Sequence, residues 1–173
     1  MSSSSQANPL GLAEFNTADP ERLRPLLTEC LAVRRWVDAV LAGRPYPDHR
    51  ALLDAADAAA PLLPDEIRGA MKAHPRIGAR VRTASWSAAE QSGVDDETAE
   101  SFRAANLEYE RRFGHVYLVC ASGRDGAELL ADLRARLANE PGTELAVAGR
   151  ELIEIARLRL GKAVRPMSEG AEA

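Results

Sequence analysis

His115-Val116-Tyr117-Leu118-Val119-Cys120-Ala121 (HVYLVCA) is the run whose reading decides the fold of this 173-residue chain. It is the one stretch with β character, rich in valine and aromatic residues. A lone strand has nothing to pair with, so the run reads as an extended, buried connector rather than as part of a sheet. Its backbone N–H and C=O groups then need partners from elsewhere, and a polar ligand is one source of them. No alternating βαβ pattern and no internal repeat surrounds it. The sum is an all-α protein: a single-domain, irregular multi-helical bundle with one extended connector near 115–121.

Working outward, Asp95 or Asp96 caps a long helix that carries Ala99, Phe102, Asn106, Tyr109 and Phe113 on one stripe, and Gly114 ends it. Asn106 is the polar member of that stripe and needs partners if buried, either a loop backbone or a ligand. Downstream, Gly123 and Gly126 lead into a helix with Leu129, Leu130, Leu133 and Leu137 inward. Glu140-Pro141-Gly142 reads as a turn, and Thr143 as the cap of a last helix over about 144–164. Towards the N-terminus, Leu10, Leu12 and Phe15 form a short apolar hook, and Asp19-Pro20 opens a helix that Pro25 restarts a turn later. A 3–4 spacing from Leu26 through Cys30, Val33 and Trp36 to Leu41 extends this helix to Gly43. Pro45-Tyr46-Pro47 is a stiff connector, Asp48 caps an alanine-rich helix to about Ala60, and a short helix from Pro64 ends at His74. The predicted organisation is a flexible leader over 1–9, a helical domain over 10–165 and a flexible tail over 166–173.

A hydrophobic content of 46% with 28% charged residues is that of a globular chain rather than a disordered one. The formal charge of -4 gives no general drive towards nucleic acid or an anionic membrane, so any anion-binding site must be local. Cys30 and Cys120 stand far apart with no CxxC partner, which suits a reducing compartment and suggests neither a zinc site nor a disulfide framework. No signal peptide and no apolar run of membrane-spanning length is visible, so the expected location is the cytoplasm. The three histidines lack metal-ligand spacing, no metal site is expected, and no nucleotide-binding or nucleophile-elbow motif occurs.

Chemistry concentrates between His74 and Gln91. Ile67, Ala70, Met71 and His74 follow i, i+3, i+4, i+7, which puts His74 on the apolar face of its helix, and Pro75 forbids continuation. An imidazole at a helix C-terminus is favoured in its protonated form, as befits a proton carrier. Ser87 and Glu90 have the spacing of a capping box, and a carboxylate fixed in that way is also well placed to orient a neighbour. On the last helix Leu145, Ala148, Leu152, Leu160 and Ala163 define an apolar sector. Arg159 falls inside it, where a guanidinium needs either a buried salt bridge or an anion to receive. Arg150 and Arg157 fall outside and read as ordinary solvated charges. His49 reads as exposed, and His115 as either a core histidine or a site wall.

His74-Pro75-Arg76-Ile77-Gly78, Trp86-Ser87-x-x-Glu90-Gln91, Asn106-x-x-Tyr109-x-x-x-Phe113-Gly114, Cys120-Ala121-Ser122-Gly123-Arg124 and Leu158-Arg159-Leu160, in this order, closely resemble the OHCU decarboxylase family. OHCU is 2-oxo-4-hydroxy-4-carboxy-5-ureidoimidazoline, an intermediate of urate breakdown. The resemblance covers nearly everything from Leu10 to Val164. It implies an all-helical, usually dimeric, cofactor-free enzyme that converts OHCU to (S)-allantoin and CO2. It further implies that His74 transfers protons, that Glu90 is its partner or orients substrate, and that Arg159 binds an anionic group. Pro75, the segment Ser87, Ala88, Ala89, Glu90 and Gln91, and the backbone of Tyr117, Leu118, Val119, Cys120 and Ala121 would line the pocket. His115 stands where many members have an aromatic residue, and Asp125 where a serine is common. The competing readings are a non-catalytic helical ligand-binding or scaffold module, and a decarboxylase of a related ureido-imidazoline.

Overall fold

The computed structural model describes residues 8–73, 96–120 and 123–167. Eight helices lie among them: α1 (Leu12–Thr17), α2 (Pro20–Cys30), α3 (Arg34–Ala42), α4 (His49–Ala58), α5 (Pro64–Ala73), α6 (Asp96–Phe113), α7 (Gly126–Leu137) and α8 (Pro141–Ala163). Two short strands, β1 (Leu10–Gly11) and β2 (Val164–Arg165), pair in parallel, Leu10 opposite Val164. The mostly helical architecture is the one expected. The β1–β2 pair was not, because strands of two residues carry no alternation that a sequence pattern could reveal.

The chain divides into two compact units. One comprises residues up to Ala60 together with those from Ile153 onward; the other is Pro61–Leu152. In the first, Leu12, Phe15, Leu27, Trp36, Val40, Leu52, Leu160 and Val164 are fully buried. The Trp36 indole N–H donates to the Ala56 carbonyl at 3.0 Å, which satisfies the polar edge of an otherwise apolar ring. Asp48 accepts from the Ala51 N–H, so the cap expected there forms, and the helix expected to open at Asp19-Pro20 does so with Pro20 at the first helical position and Asp19 accepting from the Glu21 N–H. Pro25 lies inside α2 without ending it.

The helix expected to reach Gly43 without a break is two helices. Leu31 (φ -155°, ψ 116°) and Val33 (φ -125°, ψ 111°) are extended, and the chain restarts at Arg34. Leu31 and Val33 are both buried at a spacing of two, the period of an extended segment, so the break keeps the apolar side inward while redirecting the chain. His49 is not simply exposed: its ring Nε2 lies 2.7 Å from the Val164 carbonyl, which ties the start of α4 to β2.

The second unit is organised around Phe102, Ala105 and Tyr109 of α6, Tyr117 and Val119 of the connector, and Leu129, Leu130 and Leu133 of α7. Gly114 ends α6 at φ +74°, a left-handed conformation that an L side chain rarely adopts. Asp125 opens α7 with a reciprocal capping box to Glu128. Pro141 is the first residue of α8, so Glu140-Pro141-Gly142 begins that helix instead of forming a separate turn before a Thr143 cap. Gly149 of α8 lies against Ile67 of α5, where a Cβ would come within 2.7 Å of the isoleucine Cδ1; the missing side chain is what lets these two helices approach.

Candidate functional site

Among the described residues the connector between α6 and α7 has no strand partner, and Tyr117, Leu118 and Val119 are buried. Its backbone finds side-chain partners within the same unit. Arg136 Nη1 donates to the Leu118 carbonyl at 2.7 Å. The Cys120 N–H donates to Glu151 Oε2, also at 2.7 Å. Two of the groups for which a ligand was one candidate partner are therefore met by the protein itself.

Arg136 is held by a buried polar network. Its Nε donates to Glu144 Oε1 at 2.7 Å. Asn139 Nδ2 donates to the other carboxylate oxygen at 3.0 Å, and the Tyr109 hydroxyl donates to Glu144 as well. The guanidinium lies over the Tyr117 ring, 4.8 Å from its centroid, and the Tyr117 hydroxyl donates to Asp132. Glu144 is 0% and Arg136 4% exposed, so both charges are withdrawn from water and depend on each other. Burial, the largest influence, works against the charged guanidinium, but the bond to Glu144 and the electrostatic influence of Glu144 and the two tyrosines together exceed it and its pKa is raised. Burial first, then the bond to Glu144, raises the Tyr109 phenol; burial first, then the bond to Asp132, raises that of Tyr117. Both phenols stay neutral donors at any ordinary pH.

His115 is half-buried, its ring stacked on Phe113 at 6.0 Å and edge-on to Tyr109 at 5.5 Å. Asn106 is buried as its stripe implied, and its Oδ1 finds no partner among the described residues.

Sequence reasoning did not single out Arg136, Glu144 or Glu151. The signal was present, since Arg136 follows Leu129 and Leu133 on the apolar stripe of α7. Glu144 likewise precedes Ala148 and Leu152 at i, i+4, i+8. On the wheel, however, both stand just beyond the edge of their apolar sectors, a weaker sign than that of Arg159, which falls inside its own.

Arg159 sits near the end of α8 in the other unit. It is half-buried, and its Nη1 donates to the Glu29 carbonyl at 3.0 Å. Among the described residues no carboxylate pairs with it, which removes the core salt bridge as its explanation there. Its positive charge is felt at Cys30, whose thiol burial pushes up to about 11 while Arg159 pulls it down. Towards this end of the helix an ion pair belongs instead to Arg157, expected to be solvated. Its Nη1 pairs with Asp57 and donates to the Leu53 carbonyl at 3.2 Å. Arg150 is exposed, as expected.

His74, Pro75, Ser87, Ala88, Ala89, Glu90, Gln91 and Ala121 lie outside the described residues. An open groove of about 570 Å³ lies along α2 and α3, lined by Glu21, Arg24, Arg34 and Val37 among others. Arg24 pairs with Glu21 and Asp38, at 2.8 and 2.7 Å, and Arg34 faces Asp38 at 3.8 Å, so the cations of the groove already have carboxylate partners. Among the described residues no group of histidine, cysteine and acidic side chains could hold a metal ion, and no helix is long and apolar enough to cross a membrane.

The family model for OHCU decarboxylase matches residues 16–161 of the chain. Among curated proteins, it is 36% identical over 103 residues to the uric acid degradation bifunctional protein TTL of Arabidopsis thaliana, covering 54% of this chain and 32% of that protein. The chain thus spans about a third of the length of this bifunctional relative. It is 29% identical over 165 residues to the 2-oxo-4-hydroxy-4-carboxy-5-ureidoimidazoline decarboxylase of Amia calva, covering 90% of each. Among solved structures, OHCU decarboxylase crystallised in the presence of (S)-allantoin matches with a TM-score of 0.62 at 24% identity, over 84% of this chain and 97% of that one. An (S)-allantoin synthase matches with a TM-score of 0.67 at 17% identity, over 90% and 54%. At such identities the two structures speak for the shared helical fold, whereas the family match runs through nearly the whole domain. The chain belongs to the OHCU decarboxylase family, a family of carboxy-lyases.

Proposed function

We propose that this protein decarboxylates 2-oxo-4-hydroxy-4-carboxy-5-ureidoimidazoline to (S)-allantoin and CO2, with His74 as the proton-transfer residue, Glu90 as its partner and Arg159 as the anion receptor. Family membership supports the reaction. The observation that carries the site is Arg159, a half-buried guanidinium bound to a backbone carbonyl and, among the described residues, to no carboxylate. Its planar five-donor fork suits a carboxylate or a charge delocalised into a ring.

The chemistry suits these residue types. The substrate's carboxylate is attached to a carbon that bears a hydroxyl and adjoins a C=N bond. When the C–CO2 bond breaks, its electron pair moves into a new C=C bond and the C=N pair moves onto nitrogen. The substrate thus contains its own electron sink, and the reaction calls for no pyridoxal, thiamine or metal. The protein's tasks are to hold the anion, to take the hydroxyl proton, and to deliver a proton to one face of the resulting enamine. An imidazole is suited to the two proton movements near neutral pH, a contribution of about 10²–10⁴-fold. A carboxylate bonded to that ring would fix its tautomer and favour its charged form. Arg159 aids the rate only so far as it stabilises the developing ring charge more than the starting carboxylate.

The test is to generate the substrate from urate with urate oxidase and hydroxyisourate hydrolase, and to follow circular dichroism with and without this protein. Accelerated formation of the (S) enantiomer is expected. An unchanged, slow and racemic product would overturn the reading in favour of a non-catalytic module, and activity confined to a related ureido-imidazoline would shift the substrate.

A further inference from the structure

In an extended chain the N–H and C=O of one residue point to the same edge, and those of the next residue to the opposite edge. The connector follows this period of two: Tyr117 and Val119 both enter the α6–α7 core cluster, and Leu118 does not. Leu118 C=O and Cys120 N–H therefore lie on one edge, and these are the two groups held by side chains. Arg136 takes the first and Glu151 the second, each at 2.7 Å. The N–H and C=O of Val119 point to the other edge.

The two holders differ in how they are themselves fixed. Arg136 is locked by Glu144 and by the Tyr117 ring beneath it. Glu151 stands on α8 seven residues after Glu144, about two turns further along roughly the same face. A carboxylate accepting a backbone N–H makes a charge-assisted bond, about twice as strong as a neutral one. Such holders are what a backbone needs if it is to meet a small polar ligand with sub-ångström accuracy.

We infer that Glu151 is a positioning residue: with Arg136 it occupies one edge of the Leu118–Cys120 backbone, so that the opposite edge, at Val119, is fixed for substrate. This rests on the reading given above, in which the connector lines the substrate pocket. Neither side chain need touch the substrate. Their effect passes through the peptide groups they hold.

The chain's two cysteines provide a direct readout. Protein labelled with ¹⁵N only at cysteine gives one amide signal from Cys30, inside α2, and one from Cys120. In Glu151→Ala, hydrogen exchange at Cys120 should quicken about tenfold or more while Cys30 is unchanged, and in Glu151→Gln, which keeps an acceptor oxygen, it should stay within about threefold of the parent. With substrate generated from urate, Glu151→Ala should raise KM about tenfold with a much smaller change in kcat, and Gln should restore most of it.

Unchanged exchange at Cys120 in the alanine variant would overturn the inference, as would failure of glutamine to rescue KM. Faster exchange with unaltered KM would confine Glu151 to a structural role and equally overturn it. If the parent protein shows no decarboxylase activity, the reading of the reaction fails and takes the substrate half of the inference with it, and the exchange result still decides whether Glu151 holds the connector.

Discussion

Consider Arg136→Met. The substitution removes the cation facing a carboxylate that is 0% exposed and leaves Glu144, among the described residues, with the Tyr109 hydroxyl and Asn139 amide. Breaking one side of a buried ion pair costs about 3–5 kcal/mol. The Leu118 carbonyl also loses its donor, a buried acceptor worth about 1–3 kcal/mol when left unmade. These terms overlap, so the expected loss is about 4 kcal/mol, a large share of the ~5–15 kcal/mol that holds a domain together. Adding Glu144→Leu should return about 2 kcal/mol or more, because the stranded charge is gone and a leucine fills comparable space. Urea unfolding followed by far-ultraviolet circular dichroism, with both single variants and the double, gives the coupling directly. A cost below about 1 kcal/mol for Arg136→Met, or single costs that add with no coupling, would refute the claim that this pair is closed off from water and mutually dependent.

His74→Asn should fold like the parent yet lower turnover by about 10² or more, and full activity in the coupled urate assay would remove the histidine from the mechanism. Arg159→Lys should reduce kcat/KM about tenfold or more, since a single ammonium cannot reproduce the planar fork; parent-like constants would count against the anion-receptor role. Cys30 makes stability fall in alkali. Its thiol is raised from 9.0 to about 11 in the folded state. The neutral form is thus favoured by folding, the contribution is complete below pH 9, and it disappears as pH rises towards 11, a loss of about 2–3 kcal/mol. Comparing urea midpoints at pH 8 and 11 in the parent and Cys30→Ala isolates this effect from that of the tyrosines, and equal pH dependence in the two proteins would contradict it.

The helical class was legible because it rests on strong signals: the 3–4 spacing of leucines in α7, the caps at Asp19 and Asp48, and the stop at Gly114. Where local patterns overlap, the reading went astray. Leu31 and Val33 satisfy a helical spacing and an extended one equally, and only packing decides between them. At the site, the connector's demand for backbone partners could be deduced from its lack of a pairing strand. Who meets that demand could not, because Arg136 and Glu151 lie 18 and 31 residues from the groups they bind. Arg157 shows the limit of a helical wheel: a position outside the apolar sector still becomes half-buried when a neighbouring helix supplies Asp57.

The pairing of Leu10–Gly11 with Val164–Arg165 lets the stretch of chain between them be closed into a ring. A short bridge from just beyond Arg165 back to the residue before Leu10, with the ring cut between the exposed Ala60 and Pro61, rearranges the order of the helices without removing any of their contacts. In such a permutant each of the two compact units becomes one unbroken stretch of sequence, so that the joining of distant chain segments ceases to be a condition for assembling the first of them.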